Sequence, residues 1–157
     1  MAKKVNVNSA YNEEYREVLE KIEKSGQCPA PFCKDKGPNH KHKIEYKSEF
    51  WKVTRNTYNY QNAKFAFLII PNRHVEDFLE ILIAEWRELR RIIRYLVKKH
   101  DLKGYTFMWR MGETSHTGAS VVHLHAHLIC GYERPDKLEK EIPDSQIIKA
   151  VVGFGKE

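Results

Sequence analysis

Apolar positions recur along this chain with two periods, and the switches between them divide it into elements. In Ser9–Lys24, Tyr11, Tyr15, Val18, Leu19 and Ile22 fall at helical spacing, which predicts an amphipathic helix closed by Gly26. Cys28–His42, dense in Pro, Lys and His, predicts irregular structure. Ile44–Lys47 and Trp51–Arg55 predict short strands. Within Ala63–Pro71 the unbroken run FAFLII predicts a strand buried on both faces. In Val75–His100, Phe78, Leu82, Trp86, Leu89, Ile93 and Leu96 recur every three or four residues, predicting one long helix. Glu76, Asp77 and Glu80 fall in its first turns and Arg91, Arg94, Lys98 and Lys99 in its last, a polarity that suits the helix dipole, and Gly104 marks the predicted exit. Tyr105–Met111 alternates as a strand with Tyr105, Phe107, Trp109 and Met111 on one side. The small-residue loop Gly112–Ser120 leads into a further predicted strand, Val121–Gly131, and the tail Ile142–Phe154 predicts a short helix and a last strand. These elements predict an α+β fold: an antiparallel sheet of about five strands, one long helix and an N-terminal helix.

The last apolar run carries the chemistry. His123, His125 and His127 alternate with Leu124, Ala126 and Leu128. In an extended strand, residues two apart share a face, which predicts three imidazoles in a row about 7 Å apart with the apolar residues turned into a core. A lone histidine is ordinarily a satisfied structural residue, but three at period two make a poor packing surface and a good chemical one. The preceding loop contains Thr117, Gly118, Ala119 and Ser120, residues able to turn backbone N–H groups toward an anion. A neutral imidazole beyond such a loop can attack phosphorus and leave again. Neighbouring histidines can fix its tautomer and move protons, and the loop donors can stabilise charge on the transferred group. Three strand histidines can also hold a catalytic zinc, the other reading of the same residues.

Composition narrows the classes. The 157 residues, 41% hydrophobic and 11% aromatic, predict a single folded domain over 1–157. No apolar run is long enough to cross a bilayer, and MAKKVNVNSAY lacks the apolar stretch of a signal peptide, so a cytoplasmic location without a membrane partner is expected. The formal charge of +6 suggests an anionic ligand. Much of it sits in Lys34–Lys43, which keeps nucleic acid open as a partner without favouring it. Three cysteines make no disulfide framework. Cys28 and Cys33 are close enough to share a metal, and Cys130 reads as a packed thiol.

The run His-φ-His-φ-His-φ-φ (φ apolar), completed by Leu128 and Ile129, resembles the signature of the histidine-triad family. Upstream, Phe67–Val75 resembles the family's apolar strand ending in Pro-x-x-His, here Pro71 to His74. Asn56–Tyr60 is similar to the Asn-x-Tyr-Pro-Tyr segment of the diadenosine-tetraphosphate phosphorylase branch, with Asn59 in place of its proline. The likeness covers about residues 28–131, leaving 1–27 as an N-terminal helical extension and 132–157 as a tail.

The resemblance implies a nucleotide hydrolase or nucleotidyltransferase acting on an adenine-type nucleotide or a dinucleoside polyphosphate. It implies His125 as the nucleophile that forms a covalent nucleotidyl-histidine, with His123 and His127 orienting the site and assisting proton movement. Gly118 and Ser120 match positions that contact the phosphate and leaving group, and Asn56 a position near the ribose. Gly112 and Ala119 stand where many members carry Asn and Gln, so leaving-group recognition is expected to differ here. The resemblance further implies a homodimer and a structural zinc on Cys28, Cys33, His74 and His123, although the family's cysteines usually lie two residues apart. A local set of Cys28, Cys33, His40 and His42 competes for the metal. It would make a zinc knuckle and fit the second functional reading, a nucleotide-sensing or nucleic-acid-binding module without significant turnover.

Overall fold

The computed structural model describes residues 3–133 and 147–150. Among them, five strands form one antiparallel sheet: β1 (Ile44–Lys47), β2 (Trp51–Arg55), β3 (Phe65–Pro71), β4 (Thr106–Trp109) and β5 (Ala126–Cys130), in the order β1-β2-β3-β5-β4. This is the predicted α+β architecture. β3 lies in the middle and is buried along nearly its whole length, as its continuous apolar run requires.

The two faces of the sheet are covered differently. Helix α2 (Ile83–Lys99) lays Leu89, Ile92 and Leu96 against Trp51, Val53, Phe67, Ile69, Ala126, Leu128 and Cys130. Trp51 Nε1 donates to the Glu85 carbonyl at 2.8 Å, tying β2 to the start of that helix. On the opposite face, helix α1 (Glu13–Ser25) packs Tyr15, Leu19 and Ile22 with Val5, Phe32, Val121 and the alternate β3 residues Leu68 and Ile70. Asn12 caps α1 by accepting from the Tyr15 N–H at 2.8 Å, and Gly26 closes it at φ 64°. The irregular Cys28–His42 segment completes this face. Its Asp35 pairs with Lys47 and with the buried Lys52, the latter at 2.9 Å.

Several elements begin or end elsewhere than predicted. The N-terminal helix starts at Glu13, which leaves Tyr11 exposed before it. The long helix starts at Ile83 instead of Val75. Asp77 caps a separate 3-10 turn, Phe78–Glu80, accepting from the Leu79 N–H at 2.9 Å, while the Glu80 carboxylate accepts from the N–H groups of Glu76 and Asp77 at 2.9 and 3.0 Å. Of the acidic residues read as the first turns of the long helix, Asp77 and Glu80 therefore serve this turn, and the Glu76 carboxylate turns to His74. That helix ends at Lys99, and the chain leaves it through Asp101 at φ 47° and not at Gly104. Thr114–Thr117, read as loop, forms a single helical turn, α3. The histidine strand is regular only from Ala126. The predicted tail elements in Ile142–Phe154 lie largely outside the described residues. No helix among the described residues is long and apolar enough to cross a membrane.

What fixes the start of α2 is Glu85. Its buried carboxylate accepts from Arg73 Nε at 2.6 Å, from Arg73 Nη2 at 2.8 Å and from the Leu82 N–H at 2.8 Å. Glu85→Ala is expected to lower unfolding stability by about 2–3 kcal/mol, the low side of a broken buried pair because Arg73 is partly exposed. Urea unfolding with an unchanged slope checks this, and a loss below about 0.5 kcal/mol contradicts it. The Arg73 guanidinium holds the Glu85 carboxyl below its usual range. This contribution is therefore full above about pH 5 and fades as pH falls through the lowered value. Glu85→Gln is expected to lose less stability than the native chain between about pH 5 and pH 3.

Candidate active site

β5 and its approach alternate between the two faces of the sheet. Ala126 and Leu128 point to α2, while His125 and His127 open onto a cavity of about 630 Å³ on the α1 side, within the usual range for small-molecule sites. Gly118, Ser120, Asn56, Tyr58, Tyr60 and Arg110 also line it. The rings of His125 and His127 lie 4.8 Å apart, and the Phe32 edge meets His125 at 5.0 Å.

His125 Nδ1 lies 2.8 Å from the carbonyl oxygen of His123. A carbonyl can only accept, so Nδ1 carries the proton and Nε2 keeps its lone pair. Burial pushes the His125 pKa down to about 4, which keeps the ring neutral. His127 is likewise held well below the usual value, first by burial and then by the neighbouring His125 and Arg110. Arg110 Nη2 donates to the Tyr60 hydroxyl at 3.4 Å, and that hydroxyl lies 3.1 Å from His127 Nδ1. Arg110 has no acceptor, so the arrangement that satisfies all three groups runs Arg110 to Tyr60 to His127. His127 then bears its proton on Nε2, which is buried without a protein partner.

The Gly118–Ser120 loop is held on the same face by the N-terminal helix. Gly118 turns the chain at φ 67°, a left-handed conformation that suits glycine. Ser120 Oγ meets the Tyr15 hydroxyl at 2.7 Å. Tyr15 stacks on Tyr11 and lies tilted against Tyr58, with ring centroids 5.1 and 4.5 Å away, and burial raises its pKa to about 12, so its hydroxyl stays protonated.

His123 faces a different cluster. Its Nε2 donates to the Pro71 carbonyl at 3.2 Å, which directs the Nδ1 lone pair at Cys28 Sγ (3.5 Å), Cys33 Sγ (3.4 Å) and His74 Nδ1 (3.2 Å). Cys33 Sγ to His74 Nδ1 is 3.3 Å, and all four donor atoms lie within 4.8 Å of one another. A tetrahedral ion with zinc-like bond lengths separates two nitrogens by about 3.4 Å and a nitrogen from a sulfur by about 3.6 Å; the four separations of 3.2–3.5 Å match it, and Cys28 would draw in to complete the set. His74 Nε2 lies 3.1 Å from Glu76 Oε1, with the Lys4 ammonium 3.2 Å from the same nitrogen. Both rings thus have the outer hydrogen-bonding partner that orients metal-binding imidazoles.

The model of the HIT domain, the histidine-triad domain, matches residues 57–134. The chain belongs to the histidine-triad family. Among solved structures, a HIT-like protein covers 60% of this chain and 91% of its own length at 24% identity and TM-score 0.51. A protein from Streptococcus mutans covers 75% and 77% at 24% identity and TM-score 0.51. A HIT-family member from Bacillus subtilis covers 70% and 80% at 22% identity and TM-score 0.50. At these identities the likeness is one of fold. No curated protein matches the chain.

Within the HIT domain the three histidines do not present one row of rings. The approach to β5 is held by the N-terminal segment, through Val122 N–H to the Lys4 carbonyl at 3.0 Å, and by Leu124 N–H to the Val75 carbonyl at 2.7 Å. This irregular stretch turns His123 toward the cysteines and leaves His125 and His127 in the cavity, so the three-histidine metal site is not assembled. The local knuckle is not assembled either. His40 places Nε2 2.9 Å from Thr54 Oγ1 and Nδ1 3.2 Å from Thr57 Oγ1 instead of joining Cys28 and Cys33. Cys130 is a buried core thiol as expected, and His116 is exposed beside Glu113.

Sequence reading missed Tyr15, Tyr60, Arg110 and Phe32 as cavity residues. Tyr15 sat on the apolar stripe of its helix and read as core. Arg110 fell on the side of its strand opposite Tyr105, Phe107, Trp109 and Met111, where a charged residue reads as solvated. A buried polar partner across the chain leaves no local signal. Tyr15→Phe is expected to cost about 1 kcal/mol and to speed amide exchange in α1 relative to β3, measured by hydrogen exchange. Equal protection of α1 in both proteins would contradict that link.

Proposed function

We propose that this HIT protein is a nucleotide hydrolase or nucleotidyltransferase for adenine-type nucleotides or dinucleoside polyphosphates, with His125 as the nucleophile. The observation that carries this reading is the hydrogen bond from His125 Nδ1 to the His123 carbonyl, which leaves a neutral Nε2 facing a ligand-sized cavity. In the first step Nε2 attacks the phosphorus of the nucleotide. A P–N bond forms, the bond to the leaving group breaks, and the leaving group departs with a proton for which His127 Nε2–H is positioned as donor. In the second step water, or another acceptor hydroxyl or phosphate, attacks the same phosphorus. The P–N bond breaks, the acceptor's proton returns to His127, and the free imidazole is restored. Gly118 and Ser120 hold the phosphoryl oxygens as charge gathers on them. Asn56 keeps its Oδ1 on the Tyr58 N–H at 3.1 Å and offers its amide NH2 to the ribose. Tyr11, Tyr15 and Tyr58 supply aromatic surface for the base.

The same reading assigns a structural zinc to Cys28, Cys33, His74 and His123, supported by the donor distances. When bound, the ion would cross-link the irregular segment to the strand approach and take no part in the bond changes. It also assigns a homodimer through α2, whose Ile83 and Trp86 are exposed, and a cytoplasmic location.

Single-turnover mixing with radiolabelled nucleotide is expected to place label on His125. His125→Ala is expected to abolish turnover, at least about 10³-fold, with the fold intact. Unchanged turnover in that variant would remove the proposed nucleophile. Purified protein is expected to contain about one zinc per chain. Chelation or Cys33→Ser is expected to lower the melting temperature by several degrees. Metal analysis that finds no zinc, with a melting temperature indifferent to chelator, would overturn the assignment.

A further inference from the structure

Arg110 has more donors than its bond to Tyr60 uses. It stands one residue beyond the Trp109–Ala126 pair of β4 and β5, a register that places it opposite His125. Directly opposed residues on antiparallel neighbours share a face, and Arg110 does line the cavity with His125 and His127. Its side chain spends one donor on Tyr60, while Nε is buried without a protein partner. Among the described residues no Asp or Glu lines the cavity, so the guanidinium has no carboxylate there. A permanent cation with unused, forked donors beside neutral imidazoles is arranged for an anion with several acceptor oxygens.

We propose that Arg110 binds a second phosphoryl group of the substrate, the one next to the phosphorus that His125 attacks. The site would then select nucleotides with a phosphoanhydride over those with an uncharged leaving group. This rests on the functional reading above, because it takes the leaving group to lie on the His127 side. Tyr60 joins Arg110 to that side, so the guanidinium sits where the oxygens of a departing phosphate would gather. Negative charge on them grows as the bond to the attacked phosphorus breaks, and Arg110 meets that charge while His127 supplies the proton. An amine leaving group would present no such oxygens.

Equilibrium calorimetry with AMP and with α,β-methylene-ADP, which differ by the second phosphoryl group, tests the assignment without turnover. The native protein is expected to bind the methylene diphosphate about ten- to a hundred-fold more tightly. Arg110→Gln is expected to erase that preference while changing AMP affinity less than about threefold, and Arg110→Lys to retain part of it. No preference in the native protein, or an equal loss for both ligands in Arg110→Gln, overturns the proposal. If Arg110→Gln does not fold, as thermal melting would reveal, Arg110→Lys decides alone: a preference equal to the native one overturns the fork-specific role. Labelling of His125 is scored separately. Its absence with the preference intact overturns the hydrolase reading and leaves the Arg110 assignment standing.

Discussion

Pairing of β3 with β5 in the middle of the sheet is the constraint on which the rest depends. Phe67 lies opposite Leu128, Leu68 opposite His127 and Ile69 opposite Ala126. With that register, one set of side chains fills the space under α2 and the other looks toward α1 and the cavity. A slip by one residue would drive imidazoles into the layer of Trp51, Leu89 and Ile92 and expose Ala126 and Leu128 to the ligand. The alternation of β5, with Ala126 and Leu128 on one face and His125 and His127 on the other, penalises such a slip, because β3 is apolar on both sides and would accept either. The hydrophobic core thereby sets which way the reactive groups point.

The cavity combines neutral imidazoles with a guanidinium. His125 and His127 are kept uncharged by burial, and no carboxylate lines the walls among the described residues. Neutral imidazoles 4.8 Å apart share this space without repelling one another, whereas two ionised rings would repel. The price is that each ring must have its proton assigned by a neighbour. The His123 carbonyl does this for His125 and Tyr60 for His127. The carbonyl can only accept, and Arg110 can only donate and so turns the Tyr60 proton toward His127, which gives the two rings opposite characters: one a base, the other a donor.

Much of this was legible in the chain. The strands Ile44–Lys47 and Trp51–Arg55 follow from short apolar alternation, and the burial of β3 from its unbroken apolar run. The four residues proposed for the metal lie together as the family likeness implied, despite the four-residue gap between Cys28 and Cys33. Periodicity failed where polar side chains override it. Phe78 and Leu82 carry a helical rhythm into a segment that Asp77, Glu80 and Glu85 divide by capturing backbone N–H groups. It failed again at His123, where strand alternation is interrupted by bonds to Lys4 and Val75, partners far away in sequence. The contributions of Tyr15, Tyr60 and Arg110 depend on contacts across 50 or more positions, and no spacing rule reports those.

His123 has a double employment with a consequence of its own. Its ring belongs to the thiol–imidazole cluster, and its main-chain oxygen sets the proton on His125. The cluster also spans the chain, since Cys28 and His123 stand 95 positions apart. An ion there would act as a staple that closes a very long loop and, at the same residue, stiffens the peptide unit that orients the His125 ring. Loss of such an ion would then be felt in the cavity, through the His123 peptide, as well as in the stability of the fold.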